Sequence, residues 1–159
     1  MSNDIATIKQ TLANYCHCVD RGTADDVAAL FANDAILSPV FDGEYEVYGR
    51  DGIRGSYAFY HQTLRAGVNH LKHLIHSMSI DVDGDAARSV CYLTVYFVSK
   101  KDNAAYQVVG TYHDTFVKHE QQWLFQTQRI EVDFMTQFGD VIDSMQPMGF
   151  PGNEDENAA

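Results

Sequence analysis

Hydrophobic positions near the start of the chain recur at spacings of three and four residues. This stripe consists of Ile5, Ile8, Leu12, Tyr15, Cys16 and Val19. The spacing predicts an amphipathic helix from about residue 4 to residue 21, which Gly22 ends. A second, short helix should begin after Thr23, and the pair Asn33-Asp34 is expected to end it.

After the second helix, the hydrophobic pattern becomes that of a strand. A strand is predicted from Ile36 to Phe41, where Pro39 indicates an edge position or a bulge. The segments that follow it are predicted as a tight turn at 42–43, a short extended stretch at 45–48, a loop at 49–52 and a third helix from Ile53 to about Leu64.

The second half of the chain has the pattern of strands. Its apolar and β-branched segments are 71–82, 86–99, 105–118 and 122–134. Their connections are short and polar, and Asp83-Gly84 is a strong hairpin signal. Helices first and a meander of strands afterwards predict an α+β fold, a curved antiparallel sheet shaped as a cone-like half barrel with about three N-terminal helices enclosing a pocket.

The pattern weakens beyond Phe134, so we divide the chain into a domain at 1–134 and a C-terminal extension at 135–159. A short helix could form at 141–145, and an acidic stretch at 153–157 is expected to fray. The apolar residues of this region that could cap a pocket mouth are Phe134, Phe138, Met145, Met148 and Phe150.

Charge and composition exclude several classes of partner. Acidic residues outnumber basic ones by 22 to 11, which gives a net charge of −11. Nucleic acids and anionic membrane surfaces would be repelled. No apolar run approaches the ~18 residues that a membrane span requires, and the first residues do not resemble a signal peptide. Three cysteines without framework spacing favour a reduced, cytoplasmic protein.

Two residue types could carry chemistry. Asp20 lies at the predicted end of the first helix, where the helix dipole disfavours a negative charge, although position alone favours a solvated carboxylate beside Arg21. His70, His73 and His76 are spaced by three, which on a strand places successive members on opposite faces. The sequence therefore predicts no shared metal site.

Three further residues are candidates by position alone. Tyr15 lies five residues before Asp20 on the same apolar stripe, Tyr96 lies in the middle of an apolar strand, and Arg129 lies on the last predicted strand. An arginine in such a strand must reach solvent or find an anionic partner. Each of the three could instead serve packing.

Several local stretches, in order, resemble the SnoaL-like branch of the nuclear-transport-factor-2-like fold. They are residues 30–35, 48–53, His73 with 80–86, 110–114, and Trp123 with Arg129. The resemblance spans about residues 5–132. The pattern is most similar to scytalone dehydratase, bile acid 7α-dehydratase and hexachlorocyclohexane dehydrochlorinase.

That resemblance implies a cofactor-independent lyase, with an Asp–His pair in a deep aromatic pocket for a hydrophobic, oxygenated ring substrate. The pair corresponds to Asp20 and His73, and Tyr15 and Arg129 are the further catalytic candidates. The residues expected to bind substrate are Tyr96, Phe41, Tyr48 and Phe134. Neither a cofactor nor a metal is expected.

The same resemblance leaves other functions open. The chain could be a non-catalytic ligand-binding or oligomerisation module of this fold, or the small subunit of a ring-hydroxylating dioxygenase. A homo-oligomer, either a dimer or a trimer, is expected through the exposed face of the sheet.

Overall fold

The computed structural model describes residues 2–141, 149 and 151, and in it the helices pack on one face of a six-stranded sheet. The helices are α1 (Ser2–Arg21), α2 (Ala24–Ala28) and α3 (Gly49–Gln62), with single 3₁₀ turns at Val40–Asp42 and Arg65–Gly67. No helix in this part of the chain combines the length and apolar character needed to cross a bilayer.

The sheet is curved and does not close into a barrel. Its strands are β1 (Phe31–Pro39), β2 (Val47–Tyr48), β3 (Val68–Asp83), β4 (Ala86–Ser99), β5 (Ala104–His119) and β6 (Gln122–Asp140), in the order β2-β1-β6-β5-β4-β3. The meander from β3 to β6 is antiparallel, as predicted, whereas β1 runs parallel to β6. The predicted α+β class is therefore confirmed.

Helix α1 packs on the inner face of the sheet, against β3 and β6, and this contact buries its apolar stripe. Ile8, Leu12, Tyr15 and Val19 are each at most 2% exposed. A large apolar side chain contributes about 1.5–3 kcal/mol when fully buried. The hydroxyl of Thr11 also donates to the carbonyl of Trp123 at 3.1 Å, which ties the helix to β6.

The first strand begins earlier than its sequence suggests. Asn33 and Asp34 do not end a helix but lie inside β1, which starts at Phe31. The pairing of β1 with β6 shifts register between Phe31 and Ile36, so these two polar residues occupy an irregular stretch of the strand. Pro39 ends β1, beyond the two residues that pair with β2.

Helix α3 also begins earlier than predicted, because residues 49–52 are helical rather than a loop. Gly49 has a φ of +78°, a conformation that glycine adopts readily and that lets the chain turn from β2 directly into the helix. Arg50 then donates to the carbonyl of Phe31 at 2.6 and 2.8 Å, which fixes the start of α3 against β1.

Strand β6 continues six residues past its predicted end at Phe134, because β5 supplies pairing partners as far as the pair Ala104 and Asp140. A register shift lies where Val109 pairs with Phe134 and Gly110 with Val132. The shift inserts Asp133 and breaks the alternation of apolar and polar residues.

The remaining predictions for the C-terminal extension concern a different part of the chain. The helix expected at 141–145, the capping residues Met145, Met148 and Phe150, and the acidic stretch at 153–157 lie outside the described residues.

Candidate active site

A cavity of about 880 Å³ lies between the helices and the inner face of the sheet. Apolar side chains from every layer form its walls, among them Val19 of α1, Leu93, Val95 and Phe97 of β4, and Ile130 of β6. Such a cavity falls within the size range of ordinary small-molecule sites. Its lining within the described residues includes neither lysine nor arginine.

Asp20 and His73 form a close pair at one wall of this cavity. Nδ1 of His73 lies 2.6 Å from Oδ1 of Asp20, and the backbone N–H of His73 donates to Oδ2 at 3.0 Å. The side chain of His73 is 9% exposed and that of Asp20 is 11% exposed. Since a carboxylate only accepts hydrogen bonds, Nδ1 carries a proton, and in the neutral imidazole Nε2 is then the nitrogen with the free lone pair.

The pair forms because two elements meet at this wall. Asp20 lies in the last turn of α1, which packs on β3. His73 lies on β3 opposite Val95, and strand alternation turns it towards the cavity together with Leu71. His76 points to the other face, where its Nε2 lies 2.9 Å from the hydroxyl of Thr94. The histidines therefore do not converge.

Arg65 holds the end of the helix that carries Asp20. Its Nη1 donates to the carbonyl of Gly22 at 2.7 Å and to that of Val19 at 3.3 Å, on either side of Asp20. The last carbonyls of a helix lack partners within it, and a cation there also complements the helix dipole. Arg65 is thus the residue that fixes the position of the Asp20 backbone.

Replacing Arg65 with alanine should lower the free energy of unfolding by about 2 kcal/mol, because two charge-assisted hydrogen bonds are lost. Urea denaturation measures this change. Arg65→Lys keeps the charge and should recover part of the loss. Equal stability of the alanine variant and the unaltered protein would contradict this role.

A pair of tyrosines forms a second polar feature of the cavity. The hydroxyls of Tyr15 and Tyr57 share a short hydrogen bond, and both side chains line the cavity. Burial is the main reason that the pKa of each phenol is raised above 10.0. These hydroxyls therefore stay protonated and act as hydrogen-bonding groups.

The residues predicted from sequence divide into two groups. Asp20 and His73 meet, Tyr15 lines the cavity, and Phe41 lies at the cavity mouth, where it is 47% exposed. Tyr48 does not reach the cavity: it is 67% exposed and its hydroxyl donates to Glu46. Its neighbour Tyr45 lines the mouth instead.

Arg129, a catalytic candidate, and Tyr96, a substrate-binding candidate, do not line the cavity, because both follow the strand alternation to the outer face. Arg129 lies beside Ile130, which lines the cavity, and it donates to Glu131 at 2.8 Å. Tyr96 lies between two cavity-lining residues of β4 and accepts a hydrogen bond from Gln107 at 3.1 Å. It borders a smaller cleft of about 470 Å³ that reaches Asp20 and His73 from outside the cavity.

Phe134 is also absent from the cavity lining, and the register shift at Asp133 explains why. Val132 lines the cavity, and unbroken alternation would place Phe134 beside it. The inserted residue exchanges the faces, so Met135 lines the cavity and Phe134 is left 53% exposed.

Besides Tyr45, three further tyrosines line the cavity that were not predicted from sequence, Tyr57, Tyr60 and Tyr112. Tyr57 and Tyr60 lie three residues apart on α3, a helical spacing that could have identified a shared face. Tyr112 faces the cavity through the alternation of β5. Its pairing with Cys91 of β4 and Ile130 of β6 sets that direction.

A row of buried polar residues crosses the sheet two positions along β5 and β6 from Tyr112 and Ile130, which line the cavity. Ser89, Asp114 and Gln128 are paired across β4, β5 and β6, and each is at most 3% exposed. Ser89 donates to Oδ2 of Asp114 at 3.3 Å, and the Gln128 amide also interacts with this carboxyl. Burial raises the pKa of Asp114 to about 8, so this carboxyl is neutral at pH 7.

Known structures resemble this fold over most of its length. A protein provisionally assigned as a scytalone dehydratase from Novosphingobium aromaticivorans is 20% identical, with a TM-score of 0.74 over 92% of this chain and 100% of its own. A type 2 hexachlorocyclohexane dehydrochlorinase, LinA, is 14% identical, with a TM-score of 0.73 over 92% and 95%. A cystatin-like protein of unknown function from Nostoc punctiforme is 21% identical, with a TM-score of 0.67 over 84% and 93%.

At these identities the likeness concerns the fold alone. Among curated proteins, no sequence matches the chain significantly. The model of the SnoaL-like domain matches residues 1–129, most of the chain and all of the elements from α1 to the first part of β6. The chain therefore belongs to the SnoaL-like domain family.

Proposed function

We propose that the protein is a cofactor-independent lyase that eliminates water from a neutral, hydrophobic, oxygenated ring substrate. The observation that carries this proposal is the Asp20–His73 pair, joined at 2.6 Å in the wall of an apolar cavity. A histidine whose Nδ1–H is held by a carboxylate presents Nε2 as a general base.

The chemistry follows from the direction of these hydrogen bonds. Nε2 of His73 removes the proton from the carbon next to the substrate carbonyl, and Asp20 stabilises the imidazolium that forms. The electron pair of the broken C–H bond forms the double bond, and the C–O bond to the neighbouring hydroxyl breaks. His73 then returns the proton to the departing oxygen, which leaves as water. A positioned acid–base group of this kind contributes ~10²–10⁴-fold to the rate.

The cavity lining supports the class of substrate. Its walls are apolar and aromatic, and its polar groups are mostly uncharged hydroxyls. An anionic substrate would lose its hydration without gaining a lysine or arginine partner, which is costly. Two of the similar structures are named for eliminations, a dehydratase and a dehydrochlorinase. Both names agree with this reaction type.

The simplest test uses 3-hydroxy-1-tetralone, whose dehydration yields fluorescent 1-naphthol. The unaltered protein should accelerate the appearance of 1-naphthol above the rate in buffer, as should other fused-ring β-hydroxy ketones in a small panel. If no member of the panel is turned over although the compounds bind, the non-catalytic ligand-binding module becomes the better description. Co-purification with a large iron-bearing chain would instead favour the dioxygenase small subunit.

We also expect a homo-oligomer that forms through the outer face of the sheet. This face carries exposed apolar side chains, including Tyr92 at 58% and Phe138 at 62%. Exposed patches of this kind are typical of interaction surfaces. Light scattering coupled to size-exclusion chromatography distinguishes a dimer or trimer from a monomer.

A further inference from the structure

Of the cavity tyrosines whose hydroxyls have no hydrogen-bond partner among the described residues, Tyr60 lies near Asp20, whereas Tyr112 is fully buried near Cys16 and Asp114. Tyr15 and Tyr57 are hydrogen-bonded to each other, and Tyr45 at the mouth donates to Asp42 at 2.6 Å. Tyr60 lines the same cavity, and among the described residues its hydroxyl has no hydrogen-bond partner. The Tyr60 side chain is partly buried in the cavity wall, so its hydroxyl is suited to a polar atom of a bound molecule.

Tyr60 is fixed in place by its neighbours. Its ring packs edge-on against Tyr57 at 6.1 Å and against His61 at 6.0 Å between centroids. The adjoining 3₁₀ turn carries Arg65, which binds the carbonyls on either side of Asp20. The 3₁₀ turn that follows α3 is therefore held against the end of α1, and Tyr60 lies close enough to Asp20 to be influenced by its charge.

The electrostatics agree with this position. Burial raises the pKa of Tyr60 to about 12, with a further contribution from the negative charge of Asp20 and an opposing one from Arg65. Such a phenol keeps its proton near neutral pH, so it can donate a hydrogen bond without ionising.

We propose that Tyr60 is the hydrogen-bond donor that binds the oxygen of the ring substrate beside His73. This role rests on the proposed function, in which His73 moves the proton and Tyr60 retains its own. Tyr96, which was expected to bind substrate, lies on the outer face of the sheet, and the hydroxyl of Tyr15 is already bonded to Tyr57. A donor aimed at the place where negative charge develops lowers the barrier more than it strengthens ground-state binding.

The test compares two ligands of the same shape, 2-acetylnaphthalene and 2-isopropenylnaphthalene, which differ by a carbonyl oxygen in place of a methylene group. The unaltered protein should prefer the ketone. Tyr60→Phe should weaken binding of the ketone about tenfold, the loss expected for one hydrogen bond, and should leave the hydrocarbon unchanged. The carbonyl stretching frequency of the bound ketone should rise in the same variant, because the hydrogen bond is absent.

Tyr48→Phe is the matched control, because it removes an exposed hydroxyl outside the cavity. Thermal unfolding confirms that the variants are folded. The proposal is wrong if Tyr60→Phe weakens both ligands equally, which would indicate packing, or changes neither. It is also wrong if the unaltered protein binds the two ligands with equal affinity. If neither ligand binds, the proposed apolar substrate site is wrong as well. If both ligands bind but Tyr60→Phe has no selective effect on the ketone, only the role of Tyr60 is wrong.

Discussion

His73→Gln is expected to lower kcat/KM for dehydration of 3-hydroxy-1-tetralone by about 10³-fold. Glutamine retains a polar side chain of similar length, but it has no nitrogen that can take up a proton. The loss of a positioned general base typically removes ~10²–10⁴-fold of the rate. Continuous fluorescence of 1-naphthol gives both kcat and KM.

The matched control is His76→Gln, three residues further along the same strand. His76 points to the outer face and contacts Thr94, so this variant should keep the activity of the unaltered protein. Asp20→Asn should reduce kcat by about 10²-fold, since an uncharged amide stabilises the imidazolium less well. Unchanged turnover in both His73→Gln and Asp20→Asn, with both proteins folded, would contradict the catalytic role of the pair.

Asp114→Asn is expected to stabilise the protein, and increasingly so as the pH rises. The pKa of Asp114 increases on folding from an ordinary 3.8 to about 8 because the carboxyl is buried. Between these two values the folded protein binds more protons than the unfolded chain, so stability falls as the pH increases. Asparagine resembles the neutral carboxyl in shape and does not titrate.

The difference between the two free energies of unfolding should therefore be small at pH 4 and reach ~5 kcal/mol near pH 8. Denaturation in urea at pH 4, 6 and 8 measures it, and the contributions of the other titrating groups cancel in the comparison. Asp133→Asn, at an exposed position, controls for the removal of one charge. A difference that does not vary with pH would show that burial does not control this carboxyl.

Much of the fold could be predicted because local periodicity reports which side of an element is buried. The stripe from Ile8 to Val19 predicted α1, and the pattern from residue 71 onwards predicted four strands whose ends lie within three residues of the observed ones, except that β6 continues six residues further. The residues near Gly49 were harder, because the helix there depends on a glycine conformation and on a contact from Arg50 to β1. No local pattern records that contact.

The candidate site was predictable only in part, for a related reason. His73 and Asp20 could be singled out because each has a distinct place at an element's end or on a strand face. Tyr57 and Tyr60 carry no such mark, since a tyrosine in an apolar stripe looks the same whether it fills the core or borders a cavity. Arg129 and Tyr96 lie on the outer face of the sheet, and the face that a strand residue occupies depends on how the strand is paired.

By itself the sequence determined the α+β class, the order of the elements and the acidic surface, because these follow from spacing and composition. Only the tertiary structure decided which residues enter the cavity. The register shift at Asp133 moves Met135 inward and Phe134 outward, and it arises from the pairing of β6 with β5. The contact between Asp20 and His73 likewise spans 53 positions along the chain, and packing of α1 on β3 creates it. Cross-strand pairing and long-range packing are properties of the assembled chain, and no short stretch of sequence contains them.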